Sequence, residues 1–288
     1  MGTIYRSAAG KQAILDFYDS QLERLGEEYH DRYVDTSFGR THIVETGNMN
    51  GIPLLVFHGG NSTTAYTLLT CGFLMKDFHI YAADTIGHPG KSDEVSLSPK
   101  NLDYGKWASE LITGLGFESM ACFSGSFGAG IIAKMMCVAP EKVKRAVLYV
   151  PSGIKNGPLR NIIGMMIPMI MFTITRKDEW FVKTMLHIAL SEENITDDTF
   201  ETAKLSILHS KVKAGMPSDV PGKLMRKCKA PTLVMAAEKD CLFPAKCVLP
   251  RAKRIIPNCT TYLMRNRGHM NFLTPKEEQM IVRFLRKR

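Results

Sequence analysis

The stretch Phe123-Ser124-Gly125-Ser126-Phe127-Gly128-Ala129-Gly130 decides how this 288-residue chain is read. Before it, Met120-Ala121-Cys122-Phe123 is a short apolar run bounded upstream by Gly114 and Gly116, the pattern of a buried strand. After it, Ile131, Ile132, Met135 and Met136 recur at helical spacing. A strand that becomes a helix within about five residues, with a serine at the turn and small residues around it, is the pattern of a nucleophile elbow. The turn strains the serine backbone, and large side chains two positions either side of it would collide. Those positions hold Ser124 and Gly128. The usual pattern has glycine at both, and Ser124 departs from it while remaining small enough to fit. Ser124 is also a competing nucleophile, but that register leaves the turn without a sterically free exit, so Ser126 is preferred. A phosphate-cradling loop is the other reading, and its Gly-Lys-Ser/Thr ending is absent.

Outward from this stretch, strands and helices alternate. Residues 10–27 carry Ile14, Leu15, Tyr18, Leu22 and Leu25 on one face of an amphipathic helix. Residues 29–35 and 41–45 flank Phe38-Gly39-Arg40 as an antiparallel hairpin. Residues 53–57 are wholly apolar, as for a strand buried on both faces of a mostly parallel sheet. That strand ends in His58-Gly59-Gly60-Asn61, whose glycines let backbone N–H groups approach a ligand, while His58 reads as a hydrogen-bonding loop residue. A helix over 63–75 and a strand over 78–83 lead to the turn-rich residues 84–92, in which Asp84 reads as a loop organiser. A helix over 104–115 precedes the elbow strand, and a strand over 144–150 follows the elbow helix. This alternation specifies a parallel α/β sheet. Residues 155–222 then show helical segments (161–174, 179–190, 196–213), rich in methionine and without a clear strand. The βαβ pattern resumes with a strand over 231–236, a weak helix over 244–253, a strand over 260–264 and a helix over 274–286.

Three chemical residues fall at the ends of three of these strands, in the order Ser126, Asp240, His269. The carboxyl edge of a parallel sheet is where such folds gather their sites. An unassisted serine hydroxyl is a poor nucleophile, so a histidine must take its proton, and a buried carboxylate fixes that histidine's tautomer. The tetrahedral intermediate also needs two backbone donors. The N–H of Phe127 is one; Gly60 is the choice for the other, with Asn61 as its alternative. Each residue also has a plainer reading. His269 could cap the following helix, and Asp240 could be a turn residue ahead of Pro244. Glu238 is the rival acid, set too early within the strand end.

Together these residues resemble the α/β-hydrolase superfamily over essentially the whole chain from about residue 30. The matching stretches are His58-Gly59-Gly60, residues 84–92, residues 124–128, residues 236–244 and Gly268-His269. Within it, the chain is most similar to bacterial carboxylesterases with a helical cap. The resemblance implies an α/β fold with a mostly parallel eight-stranded sheet flanked by helices. Residues 1–152 and 223–288 would form the core and residues 153–222 the cap. It implies a serine hydrolase that needs no cofactor or metal and cleaves esters of small apolar substrates through an acyl-enzyme on Ser126. Thioester, lactone or carbon–carbon bond hydrolysis would use the same triad, and a non-catalytic small-molecule receptor is the alternative of another class.

Composition sets the remaining bounds. A net charge of +9 with 45% hydrophobic and 23% charged residues describes a soluble globular protein. The basic runs Lys223 to Lys229, Arg251 to Arg254 and Arg286 to Arg288 lack interleaved aromatics, so they read as solvated faces and not as a nucleic-acid site. Seven scattered cysteines without a Cys-x-x-Cys pair argue for reduced thiols in a cytoplasm, against disulfides and against zinc. No secretory signal is expected, and Arg6 stands where myristoylation wants serine or threonine. The longest charge-free apolar run, residues 161–175, is broken by Pro168 and falls short of the ~20 residues needed to span a bilayer, so no membrane insertion is expected. One apolar stripe would glue that run to the body, yet nearly every face of it is apolar. The surplus is expected to line an acyl or aryl pocket under the insertion, and an apolar surface there could also serve a homodimer.

Overall fold

The computed structural model describes residues 2–211 and 217–287. The chain enters through helix α1 (Ala8–Glu23), followed by the hairpin β1 (Tyr29–Thr36) and β2 (Gly39–Gly47). Then come β3 (Ile52–Phe57), α2 (Thr64–Thr70), β4 (Phe78–Ala83), α3 (Asp103–Gly114), β5 (Met120–Gly125), α4 (Ser126–Val138) and β6 (Val143–Tyr149). Three helices follow without a strand between them, α5 (Ile163–Thr175), α6 (Asp178–Ala189) and α7 (Asp197–His209). The chain closes with the short α8 (Gly222–Met225), β7 (Thr232–Ala237), α9 (Ala245–Ile255), β8 (Cys259–Met264) and α10 (Pro275–Arg286).

All eight strands form one sheet in the order β1-β2-β4-β3-β5-β6-β7-β8. The hairpin pairs antiparallel, and β2 also runs antiparallel to β4, with Ile43 opposite Ala83. Every pairing from β4 to β8 is parallel. The central strands read as unbroken apolar runs because both of their faces are covered. Leu55, Phe57, Cys122, Leu148 and Val234 point into one core with Trp107 and Leu111 of α3, Met135 of α4 and Val248 of α9. Their neighbours Leu54, Val56, Phe123, Val147 and Leu233 point into the other, with Tyr18 and Leu22 of α1, Leu68 of α2 and Ile281 of α10. The period of two along each strand thus feeds two separate hydrophobic layers.

Several element boundaries differ from the sequence reading. Helix α1 begins earlier than residue 10 because the Ser7 hydroxyl accepts the Gly10 N–H at 3.0 Å. It ends well before residue 27, ahead of Gly26, whose φ of +73° is incompatible with continuing the helix. The helix expected over 63–75 stops at Thr70 and continues only as a 3₁₀ turn, Gly72–Leu74. The weak helix expected over 244–253 runs on to Ile255 and buries Ala245, Val248, Ala252 and Ile255 at helical spacing. Residues 212 and 213 of the helix expected over 196–213 lie outside the described residues, as does Arg288 of the last basic run.

Helices α5 to α7 are fastened to the rest of the fold at several places. Thr202 on α7 accepts a hydrogen bond from the Gln21 side chain of α1 at 3.0 Å, and Asp198 pairs with Arg24 at 2.6 Å. Tyr5 and Ser210 form an isolated antiparallel bridge. At the far end of α6, the Ile188 carbonyl accepts the N–H of Met270, one residue beyond His269. Phe172 of α5, Phe181 and Met185 of α6 make a small core of their own, flanked by Met169 and Met270. The apolar surplus of α5 is distributed otherwise than its sequence suggests: only Phe172 of that helix is buried, and Ile163, Met166, Ile167, Ile170 and Ile174 lie exposed. Among the described residues, no helix is long and apolar enough to cross a membrane.

Candidate active site

Ser126 sits at the first residue of α4 with φ of +52°, in the left-handed region. For a residue with a Cβ that conformation is strained, and packing on both sides of the turn enforces it. A Cβ on Gly128 would lie 2.7 Å from the Phe57 carbonyl oxygen, so only glycine allows β3 to approach the helix this closely. Ser124 is fully buried at the end of β5. Its hydroxyl accepts the Phe57 N–H at 2.8 Å and lies 3.0 Å from the Phe57 carbonyl, so it ties β5 to β3 and faces away from any substrate. The serine at this position is thus a strand cross-link that the smaller glycine of the usual pattern would lack.

Ser126, His269 and Asp240 come together. The Ser126 Oγ lies 2.9 Å from His269 Nε2, and His269 Nδ1 lies 2.8 Å from Asp240 Oδ2. Asp240 has no exposed side-chain surface, and its other oxygen accepts the N–H groups of Leu242 and Phe243 at 2.7 and 2.8 Å. The Phe243 ring meets the His269 imidazole edge-on at 5.4 Å. Glu238, the rival acid, is exposed and accepts the N–H of Asn266 at 2.8 Å, stabilising the turn that leads to His269 without touching the imidazole.

The proposed donors lie beside the serine. Cβ atoms built on Gly59 and Gly60 would fall 3.8 Å from the Ser126 Cβ and 3.7 Å from the Phe127 Cβ, so this loop covers the elbow at van der Waals distance. Neither the Gly60 nor the Phe127 N–H has an acceptor among the described residues. Asn61 follows with φ of +52° and an exposed side chain. His58 is not part of the constellation. It is buried, its Nε2 accepts the Thr85 N–H at 3.1 Å and its Nδ1 donates to the Gly59 carbonyl at 2.8 Å. Burial pushes its pKa down, keeping it neutral in the loop-bracing role that its sequence context suggests. Asp84 is buried too, bonded to Lys91 N–H, Tyr18 hydroxyl and His42 Nδ1 at 2.7, 3.1 and 2.8 Å, so it organises residues 84–92.

Sequence reasoning passed over a supporting layer. Tyr149, the last residue of β6, places its hydroxyl 2.7 Å from the Asn271 side-chain oxygen. His88 packs against the Phe127 ring at 4.8 Å and bonds to the Tyr104 hydroxyl at 3.2 Å. Burial, then the nearby His58, pushes the His88 pKa down to about 3, so a neutral ring underlies the elbow. The only sequence signal for Tyr149 is a polar-tipped aromatic at the carboxyl end of an apolar strand. Chemically, the assembly offers a hydroxyl poised to lose its proton to an imidazole, a carboxylate to hold that imidazole, and two free N–H groups alongside.

The fold is that of the α/β-hydrolases. Within that fold, the chain is similar to bacterial carboxylesterases. It is 24% identical over 276 residues to carboxylesterase YbfK of Bacillus subtilis, spanning 93% of this chain and 92% of that protein. The crystal structure of naproxen esterase (carboxylesterase NP) from Bacillus subtilis superposes with a TM-score of 0.81 at 18% identity, covering 97% of this chain and 99% of that one. The 2-hydroxy-6-oxo-6-phenylhexa-2,4-dienoate hydrolase of Rhodococcus sp. strain RHA1 shares the fold more distantly, with a TM-score of 0.71 at 18% identity over 91% of this chain and 100% of that one. No family model matches the chain.

Proposed function

We propose that this chain is a serine esterase that cleaves carboxylic esters of small apolar substrates through an acyl-enzyme on Ser126. The observation that carries this reading is the hydrogen-bonded line from the Ser126 hydroxyl through His269 to buried Asp240. In the first half-reaction the Ser126 oxygen bonds to the ester carbonyl carbon while its proton passes to His269 Nε2. The carbonyl oxygen, now negative, is met by the N–H groups of Phe127 and Gly60. The bond to the alcohol oxygen then breaks, and the His269 proton goes to that oxygen. In the second, water gives a proton to His269 as its oxygen attacks the acyl carbon, and the proton returns to Ser126 as the acid leaves.

The similarity to named carboxylesterases supports an ester over a thioester, lactone or carbon–carbon bond. Residues 153–222 act as the cap in this reading, since α6 is bonded to the loop that carries His269. The seven free cysteines support a reducing, cytoplasmic setting. The test is a panel of ester, thioester, lactone and amide substrates, run with wild-type chain and with Ser126→Ala, alongside labelling by a serine-directed phosphonate. The expected result is ester turnover lost with Ser126 and a label on that residue. Tight ligand binding without turnover of any member of the panel would instead make the chain a receptor.

A further inference from the structure

Helix α5 presents an apolar face that none of the described residues covers. Leu159, in the turn before the helix, and Ile163, Ile167, Ile170 and Ile174 follow one another at spacings of four, four, three and four residues. That spacing places the four isoleucines on one face over roughly 16 Å of helix, with Leu159 exposed in the turn at its start. In chain order, the five side chains are 77%, 55%, 64%, 53% and 72% exposed. The helix meets the rest of the protein through another face. Phe172 stacks on Phe181 with ring centroids 4.7 Å apart, and the His187 ring of α6 bonds to the Asn161 carbonyl at 2.9 Å. The packing of the insertion is therefore already satisfied, and the isoleucine face is surplus to it.

Within residues 153–177 the charges share one sign. From residue 153 to 177 there is no aspartate or glutamate, and the charged residues are Lys155, Arg160, Arg176 and Lys177. Lys155 is engaged by Asp219 at 2.7 Å. Arg160, Arg176 and Lys177 are exposed and have no carboxylate partner among the described residues. Asp178 and Glu179 follow in the first turn of α6, and Asp178 is held by Lys204 at 2.8 Å. An uncharged apolar stripe with unpaired cations at both ends matches a helix lying in the headgroup region of an anionic bilayer.

We propose that α5 docks this protein onto anionic lipid surfaces, with its isoleucines at the acyl boundary and Arg160, Arg176 and Lys177 among the phosphates. At 13 residues the helix lies on the bilayer and does not span it. A second copy meets the same face less well. A two-fold axis that pairs α5 with itself antiparallel sets Arg160 of one protomer against Arg176 and Lys177 of its partner, an array of like charges. The inference concerns binding alone and holds whether or not the chain cleaves esters.

The test uses the full chain carrying Ser126→Ala, so that no lipid is consumed, sedimented with vesicles of phosphatidylcholine alone or mixed equally with phosphatidylglycerol. Binding is expected on the mixed vesicles, weakening in high salt. Arg176→Gln and Lys177→Gln should each lower it about fivefold, the effect of about 1 kcal/mol per surface cation. Ile167→Asp with Ile170→Asp should abolish it, while leaving the thermal transition of the protein and, with Ser126 restored, turnover of a water-soluble ester unchanged. Three outcomes overturn the proposal: no binding to the mixed vesicles, binding indifferent to the aspartates, or a dimer in solution that those aspartates disperse. The last would assign the face to a second copy of the chain.

Discussion

The Tyr149 hydroxyl donates to the side-chain oxygen of Asn271 at 2.7 Å, and through this bond the end of β6 grips the loop that carries His269. The Asn271 amide in turn donates to the Gly268 carbonyl at 2.8 Å, so the loop is held on both sides of the imidazole. Tyr149→Phe removes only the hydroxyl and keeps the ring, which packs against the sheet core. A neutral hydrogen bond is worth about 1 kcal/mol, so kcat should fall about fivefold with KM little changed. A rise in KM at constant kcat would make Tyr149 a substrate contact and not a positioning residue.

Two serines two residues apart should behave oppositely. Ser126→Ala is expected to lower ester turnover by several orders of magnitude, because groups that act as a unit fail together. Ser124→Ala should leave most of the turnover and cost about 1–3 kcal/mol of stability, since it strips the buried Phe57 N–H of its acceptor. Turnover assays with chemical denaturation of both variants decide the matter. Loss of activity from Ser124→Ala in a protein of undiminished stability would reverse the assignment.

The carboxylates divide in the same way. Asp240→Asn should keep the fold and cut kcat by about 10⁴, by holding the imidazole in the wrong tautomer. Glu238→Gln should cost little, because that carboxylate only receives a backbone N–H at the surface. Equal losses in steady-state assays of the two variants would refute the division.

What the sequence showed and what it hid have separate causes. The central strands and the elbow were legible because both faces of the middle of the sheet are covered, which leaves apolar runs, and because the close approach at Gly128 demands a particular residue. Ser126, Asp240 and His269, which the fold brings together, could be picked out because each follows the carboxyl end of a strand, where a local pattern points to it. Tyr149 and Asn271 could not, because they are 122 residues apart in sequence and neither type is required by a local motif. The exposed face of α5 misled for a related reason. Apolar composition reports that a side chain avoids water, not which surface covers it, and the insertion's own packing took only Phe172.

The buried pair His42 and Asp84 gives stability a pH dependence of predictable sign. Burial alone would lower the His42 pKa, but hydrogen bonds to Asp84 and Asp31 outweigh it and hold the value above the ordinary one. Burial alone would raise the Asp84 pKa, and the bonds from His42 and the Lys91 N–H hold it below. His42 therefore contributes fully below about pH 6.5, and its contribution fades as pH rises through its raised folded value. Asp84 contributes above about pH 4, and its contribution fades as pH falls through its lowered folded value. The pair thus stabilises most between those limits. His42→Gln should cost about 3–5 kcal/mol near pH 6, and its deficit in Tm should shrink toward pH 9. A deficit that is constant or grows with pH would show that His42 is not charged in the fold.

The acyl pocket expected under the insertion is not lined by the isoleucines of α5. Ile163, Ile167, Ile170 and Ile174 look into solvent, so they cannot grip a substrate in free solution. The inner cluster of Phe172, Phe181 and Met185, with Met169 and Met270 at its edge, is the candidate surface for the acyl group, and Met270 adjoins His269 in the chain. A flexible thioether at Met270, next to His269 in the chain, suits an acyl group of irregular shape. Each methylene buried there contributes up to ~0.8 kcal/mol, about fourfold in catalytic efficiency. Efficiency should therefore climb by up to about 15-fold from acetate to butyrate esters of one leaving group, and gain less toward hexanoate as the short cluster is outrun. Met270→Ala should reduce the butyrate advantage while sparing acetate, and Ile167→Asp should leave both unchanged. Anionic acyl groups should be poor, since this cluster offers them no cation. A flat or falling series, or a Met270→Ala variant that treats both esters alike, would mean that the cluster only holds the insertion in place.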